Sequence, residues 1–222
     1  MKKILYLGFS LIIFLNSCVK KTEVPVGEVK IRFVNALPAT LPNALPQDVY
    51  VNNGKLSIAA VAPGQATPYL SFYSGLNSLA MANTGTSIAN GDIYSYNAEI
   101  GSHATFFYTM SLLGTPATGI KGDDMTLPPA GKARVRFIHL NGFLNNSIKV
   151  DVVNGGELFG ALGFGNASAY FNVDPLSKFQ VSATGVTTAP LVDANIQAGK
   201  IYTIFFNGAA ETELYGNLLI QN

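Results

Sequence analysis

Ile31-Arg32-Phe33-Val34-Asn35 returns as Val135-Arg136-Phe137-Ile138-His139, and this recurrence decides how the chain is built. Both runs alternate β-branched or aromatic residues with others, which suits a pleated, half-buried strand. The segments downstream repeat in the same order. Asp48 to Val51, followed by Asn52-Asn53-Gly54-Lys55-Leu56, answers Asp151 to Val153, followed by Asn154-Gly155-Gly156-Glu157-Leu158. Asn-Gly between two such strands signals a hairpin. Gly64-Gln65-Ala66-Thr67-Pro68-Tyr69 then matches Gly165-Asn166-Ala167-Ser168-Ala169-Tyr170, and Thr84-Gly85 matches Thr184-Gly185. Late in each repeat, His103 to Tyr108 aligns with Lys200 to Phe206. The spacing between matched positions shrinks from 104 residues (Ile31 to Val135) to 98 (Thr105 to Thr203), as small loop insertions and deletions between equivalent strands would produce.

Short β-rich runs recur about every 8 to 12 residues, and no stretch sustains a helical period without Gly, Pro or β-branched residues intruding. That spacing predicts an all-β chain of two β-sandwiches. Val29, Ile31 and Phe33 should face one side of the first strand, with Lys30, Arg32 and Val34 on the other. The alternation is partial, as in a strand whose outer face is also partly covered. Leu127-Pro128-Pro129-Ala130-Gly131 marks the boundary, since consecutive prolines cannot donate ladder hydrogen bonds. The organisation read from the sequence is a leader over 1–17, a tether over 18–27, one sandwich over 28–129 and a second over 130–222.

The leader combines Met1-Lys2-Lys3 with an uncharged run from Ile4 to Leu15, as a secretory signal does. A bilayer-spanning helix needs about 20 apolar residues, more than this run supplies. Leu15-Asn16-Ser17-Cys18 resembles a bacterial lipobox, so the expectation is a lipoprotein signal peptide cut before Cys18 and acyl chains on that cysteine. Each buried methylene of such chains adds about 0.8 kcal/mol of membrane affinity. The expected location is therefore the bacterial cell envelope, lipid-anchored at the outer membrane. Lys20 and Lys21 differ from the acidic cluster that resembles a surface-export signal in some lineages, and both faces of that membrane stay open.

Without Lys2 and Lys3 the formal charge of +1 becomes −1, so the chain lacks a basic field for nucleic acid. Cys18 is the single cysteine, which excludes an internal disulfide and a thiolate metal site. About 205 residues after the leader are enough for two domains, each with its own core.

Asp123-Asp124-Met125-Thr126-Leu127-Pro128, followed by Gly131-Lys132-Ala133-Arg134-Val135-Arg136-Phe137-Ile138-His139, resembles the DUF4397 family. Gly165, Tyr170 and Ala198-Gly199-Lys200-Ile201-Tyr202-Thr203 fit the same pattern. The resemblance implies a tandem pair of family units from about Glu28 to the end of the chain. It also implies immunoglobulin-like antiparallel sandwiches on secreted or lipid-anchored proteins, with no established activity. The first unit departs at Gly101-Ser102-His103-Ala104-Thr105, where the family has a Gly-Lys-x-Tyr-Thr form.

His103 and His139 are the only histidines and fall in non-equivalent strands, so no catalytic residue, metal site or cofactor is assigned. A zinc site would want several ligands at set spacing, and no Gly-x-Ser-x-Gly elbow is present. Asp123-Asp124 could contribute to calcium binding, but six or more oxygens are needed and a solvated interdomain turn is the simpler reading. Asp48 and Asp151 recur at strand openings, where local backbone groups or water would satisfy them. Tyr94, Tyr96, Phe106, Phe107 and Tyr108 form the richest aromatic cluster, while Tyr69 and Tyr170 suit a structural role with a bonded hydroxyl. The Pro-rich loop from Ala36 to Gln47 is the sharpest difference between the repeats, and loops at sandwich ends often bind partners.

The functional expectation is a non-catalytic envelope protein for binding, adhesion or assembly, with the membrane and a protein or glycan as partners. One alternative is a polysaccharide-binding accessory protein, which needs exposed aromatics. A remoter one is an unusual hydrolase, which needs Asp48 or Asp151 beside a histidine.

Overall fold

The computed structural model describes residues 26–88, 93–187 and 190–222. Cys18 and the leader over 1–17 lie outside the described residues. The first eight strands are β1 (Glu28–Asn35), β2 (Gln47–Val51), β3 (Gly54–Lys55), β4 (Leu70–Tyr73), β5 (Gly75–Asn83), β6 (Tyr94–Ala98), β7 (His103–Met110) and β8 (Pro116–Asp123). They build two four-stranded sheets, ordered β4-β1-β7-β8 and β3-β2-β5-β6. Eight further strands follow: β9 (Ala133–His139), β10 (Ile148–Val152), β11 (Glu157–Leu162), β12 (Phe171–Val173), β13 (Phe179–Ser182), β14 (Leu191–Val192), β15 (Ile201–Asn207) and β16 (Tyr215–Ile220). Their sheets, β12-β9-β15-β16 and β11-β10-β13-β14, repeat the first arrangement strand for strand.

The recurring sequence features explain this duplication. Asn52 and Asn53 both adopt positive φ (51° and 63°), the backbone a two-residue hairpin needs to match strand twist. Asn154 does the same in the second repeat (φ 59°). Gly64 (φ 75°) and Gly165 (φ 74°) open the matched arches, whose Ala66 and Ala167 bridge to Val34 and Ile138. In those arches the Thr67 and Ser168 hydroxyls accept the backbone N–H of Phe33 and Phe137 at 3.0 and 2.9 Å. The repeated Thr/Ser thus meets a backbone donor that the ladder leaves free.

The pairs β1–β7 and β9–β15 run parallel, and the other strand pairs are antiparallel. Parallel pairing demands a crossover, and in each sandwich the chain crosses through the second sheet between the two strands.

Val29, Ile31 and Phe33 enter the first core with Val49, Leu79, Met81 and Phe106. In the second core Phe137 meets Phe179 edge-on at 5.1 Å and packs beside Ile148, Val181 and Ile204. The opposite faces of β1, β7, β9 and β15 are covered too. Val34, Ala36, Phe107, Ile138, Leu140, Phe205 and Leu219 form a third cluster that joins the sandwiches. This accounts for strands that are apolar on both sides, as doubly covered strands should be.

Candidate functional site

The largest assembly of buried polar groups sits where the sandwiches meet. Alternation on β9 sends Phe137 inward and Arg136 outward, and on β15 it sends Ile204 inward and Thr203 outward. Asp123, at the end of β8, receives Arg136 on Oδ1 in a fully buried ion pair. The same Oδ1 accepts Gln221 Nε2 at 3.0 Å, while Oδ2 accepts the Tyr69 and Thr105 hydroxyls, each at 2.6 Å. Arg136 also donates Nε to Thr203 (2.8 Å) and Nη1 to the Gly122 carbonyl (2.5 Å).

The junction follows an approximate two-fold pattern. Arg32, the repeat equivalent of Arg136, donates to the Ile220 carbonyl at 2.8 Å, just as Arg136 donates to Gly122. Tyr69 gives its hydroxyl to Asp123 and Tyr170 gives its own to Gln221 at 2.9 Å. Arg32 lies 4.1 Å over the Tyr69 ring and Arg136 5.1 Å over Tyr170, favourable cation–π placements. At the other end of the contact Thr109 donates to the Leu140 carbonyl and Asn207 to the Ala36 carbonyl, at 2.9 and 2.8 Å. Phe107 and Phe205 meet between these exchanges, centroids 5.9 Å apart.

The electrostatics fit structural use. Burial, the Asp123 charge and the bond to it push the Tyr69 hydroxyl well above the usual tyrosine range. Burial likewise raises Tyr170, against the opposing charge of Arg136. Both phenols stay protonated donors.

Asp123 is therefore a buried ion-pair partner rather than half of a solvated turn. Asp124 is exposed, but its oxygens are engaged by Arg134 (2.7 Å) and by the Thr126 amide (2.9 Å), and these bonds hold its carboxyl below the usual range. The two carboxylates are thus held by separate arginines, Asp123 by Arg136 and Asp124 by Arg134. Among the described residues no group of three or more His, Cys, Asp or Glu is placed to hold a metal ion.

The remaining candidates scatter. Asp48 accepts Lys55 at 2.7 Å and the Gly85 amide at 3.3 Å, and these contacts lower its pKa despite burial. Asp151 pairs with Lys149 at 3.2 Å. His103 packs edge-on against Tyr69, 5.2 Å between centroids. It lines a cleft of about 630 Å³ with Glu99, Ser102 and Asp124. His139 is fully buried, with Nδ1 accepting the Asn141 amide and Nε2 facing the Asn146 carbonyl. Neither recurring aspartate stands among these histidine contacts.

Phe106, Phe107 and Tyr108 are buried, and Tyr94 and Tyr96 pack half-buried on the first core. The aromatic cluster is core and interface, so these five rings do not form an exposed row for glycan stacking. In the Pro-rich loop Leu37 is buried, and Leu41 and Ala44 rest on the first core, so its solvent-facing positions are Ala39-Thr40, Pro42-Asn43 and Leu45-Pro46.

The Arg136–Asp123 junction was not read from the sequence as a site. Its signal was the joint recurrence of Arg32/Arg136, Tyr69/Tyr170 and Thr105/Thr203, polar residues repeated inside otherwise apolar strands.

Residues 29–151 match the family model DUF4397, described as a domain of unknown function. The match spans nearly all of the first sandwich and runs into the second as far as β10. No curated protein matches the chain. Among solved structures, the Bacillus anthracis TIE protein is similar at 13% identity over 82% of this chain, with a TM-score of 0.25. The chain spans 34% of that structure's length.

Proposed function

Because the chain belongs to the DUF4397 family, a domain of unknown function, its role is read from its own architecture, and we propose a non-catalytic, lipid-anchored cell-envelope module that presents loops to a protein partner. The observation that carries this reading is the reciprocal junction between the sandwiches, from Arg136–Asp123 at one end to Asn207–Ala36 at the other. Such a junction holds two sets of loops in one fixed relation, which lowers the ordering cost of binding. Its buried polar groups, the Arg32 Nε apart, bond one another or backbone carbonyls, and the two histidines are occupied by ring and backbone contacts, which supports a scaffold rather than a reaction centre.

The anchor is Cys18, and the tether leads into β1. The loops after β1 and β7 lie at the opposite end of the first sandwich and carry exposed Leu45, Leu112 and Leu113. Exposed apolar tips on a fixed frame are suited to a protein contact.

Two measurements test this reading. Mass analysis of the N-terminal peptide and protease shaving of intact and lysed cells, beside Cys18→Ala, should show acylated Cys18 and loss of membrane retention in the variant. Unmodified Cys18, or unchanged retention, would overturn the anchor. A photo-crosslinking residue at position 113 should capture one discrete envelope partner in cells, and one at position 191 should not; equal capture from both sites would overturn the loop assignment.

A further inference from the structure

Val26, Tyr73, Leu76 and Ile100 are 67%, 78%, 75% and 56% exposed, and the backbone gathers them at one end of the first sandwich. Tyr73 pairs with Glu28 in the ladder, and Ser74 exchanges hydrogen bonds with Gly27 through its amide and its hydroxyl. Ile100 lies so close to Gly27 that a Cβ there would stand 2.5 Å from its Cγ2. Leu76 follows Gly75 on β5, in the other sheet, opposite Asn97. A cleft of about 510 Å³, lined by Gly27, Phe72, Tyr73 and Asn77, opens beside them.

The fold itself does not require this character. Register places Asp174 and Lys132 in the second sandwich where Tyr73 and Glu28 stand in the first. That corner is closed by ion pairs, Lys132–Asp174 and Lys178–Asp193, both at 2.6 Å. The second corner keeps one exposed apolar residue, Leu176 at 65%, among these charges, whereas the first gathers four and receives the tether.

We propose that this apolar end rests in the headgroup region of the phospholipid bilayer to which Cys18 is anchored. The proposal rests on the lipid-anchor reading above. Eight residue steps separate Cys18 from Val26, a reach of at most about 28 Å, so the anchor holds this end, rather than the Leu112–Leu113 end, near the lipid. Exposed Tyr and aliphatic side chains gain by entering the outer few ångströms of a bilayer, with aromatic rings suited to the headgroup level. Glu28 is exposed beside the apolar group, so the attraction is apolar rather than electrostatic and persists on zwitterionic lipid at high salt. Docking would fix the sandwich pair relative to the membrane and point the Leu45 and Leu113 loops away from it.

The chain contains no tryptophan, so a single introduced one reports its own depth. Full-length acylated Leu76→Trp and Leu113→Trp chains are placed in phosphatidylcholine vesicles carrying brominated acyl chains, at low and high salt. The expected result is about twofold quenching at position 76, none at 113, and no salt effect. Adding Tyr73→Asp and Ile100→Asp to Leu76→Trp should abolish the quenching while the acyl chains keep the protein in the vesicle. An acylated chain with an unquenched tryptophan at 76 would overturn the docking alone. A chain lacking acyl mass would overturn the anchor and the docking together. A blue shift at 76 that grows with protein density, without bromine quenching, would assign the surface to a second copy and also overturn the proposal.

Discussion

Asp123 and Gln221 hold equivalent places at the ends of the last strands of the two sandwiches, and the Gln221 amide donates to the Asp123 carboxylate at 3.0 Å. An approximate two-fold axis passes between them, and the symmetry breaks in their chemistry. One position carries an acid and the other its neutral counterpart, so a single carboxylate serves a junction with two arginines. Arg136 takes that carboxylate, while Arg32 reaches the Ile220 carbonyl and leaves its Nε without a partner among the described residues. Two carboxylates at this separation would repel one another.

Removal of the Asp123 carboxylate leaves Arg136 buried without its counter-charge and strips acceptors from Tyr69 and Thr105. Asp123→Ala should therefore cost about 3–5 kcal/mol, the range for breaking a buried pair from one side. Urea unfolding followed by far-ultraviolet dichroism measures it. A loss below about 1 kcal/mol would mean that water replaces the carboxylate and that the junction contributes little.

Gln221→Glu sets a second carboxylate against Asp123, which raises the pKa of one of the pair above its unfolded value. The unfolded chain then holds fewer protons than the folded one between those two values. The destabilisation is complete above the raised pKa and fades as the pH falls toward the unfolded carboxylate range, where the pair shares a proton. The variant should be less stable than the parent at pH 7.5 and close to it near pH 5. A deficit independent of pH would contradict the placement of these two side chains.

Gly142 approaches the other sandwich so closely that a Cβ there would lie 2.0 Å from the Met110 carbonyl oxygen. That neighbour is backbone and cannot rotate away. Gly142→Ala should lose about 1–3 kcal/mol through forced separation of the sandwiches. Gly119→Ala, where the added methyl meets nothing within 4 Å, is the control and should lose nothing. Equal thermal midpoints for the two variants would show that the sandwiches separate without cost.

The inner faces were legible because period-two alternation assigns Val29, Ile31 and Phe33 to one side without knowledge of anything distant. The hairpins and arches were legible because Asn52, Asn53, Gly64 and Gly165 have backbone angles that local residue types determine. What covers the outer face of β1 was not legible. Val34 and Phe107 announce that something apolar packs there, but only the fold-back of the second sandwich brings Ile138 and Phe205 to meet them. Asp123 was misread as solvated for the same reason. Nothing next to it in sequence reveals that Arg136, Tyr69 and Gln221 converge on it from three different strands or arches.

His139 occupies the position that Asn35 holds in the first sandwich, and the two residues show how one buried polar place can be filled in two ways. Asn35 donates Nδ2 to the Leu45 and Val61 carbonyls, each at 3.0 Å, and accepts the Leu37 amide. His139 accepts the Asn141 amide on Nδ1, which assigns the proton to Nε2, facing the Asn146 carbonyl at 3.2 Å. Burial lowers its pKa below 6.5, opposed by the backbone bonds to Asn146 and Leu144. Below about pH 6.5 the unfolded chain binds a proton at this residue that the folded chain refuses, so stability falls as the solution is acidified. Above that pH the contribution is complete. His139→Asn transplants the solution used by the first sandwich and removes the titration. Urea midpoints at pH 7.5 and 5.5 should therefore differ more for the parent than for His139→Asn, with the carboxylate contribution common to both. Equal differences would mean that His139 takes up its proton without leaving its buried place.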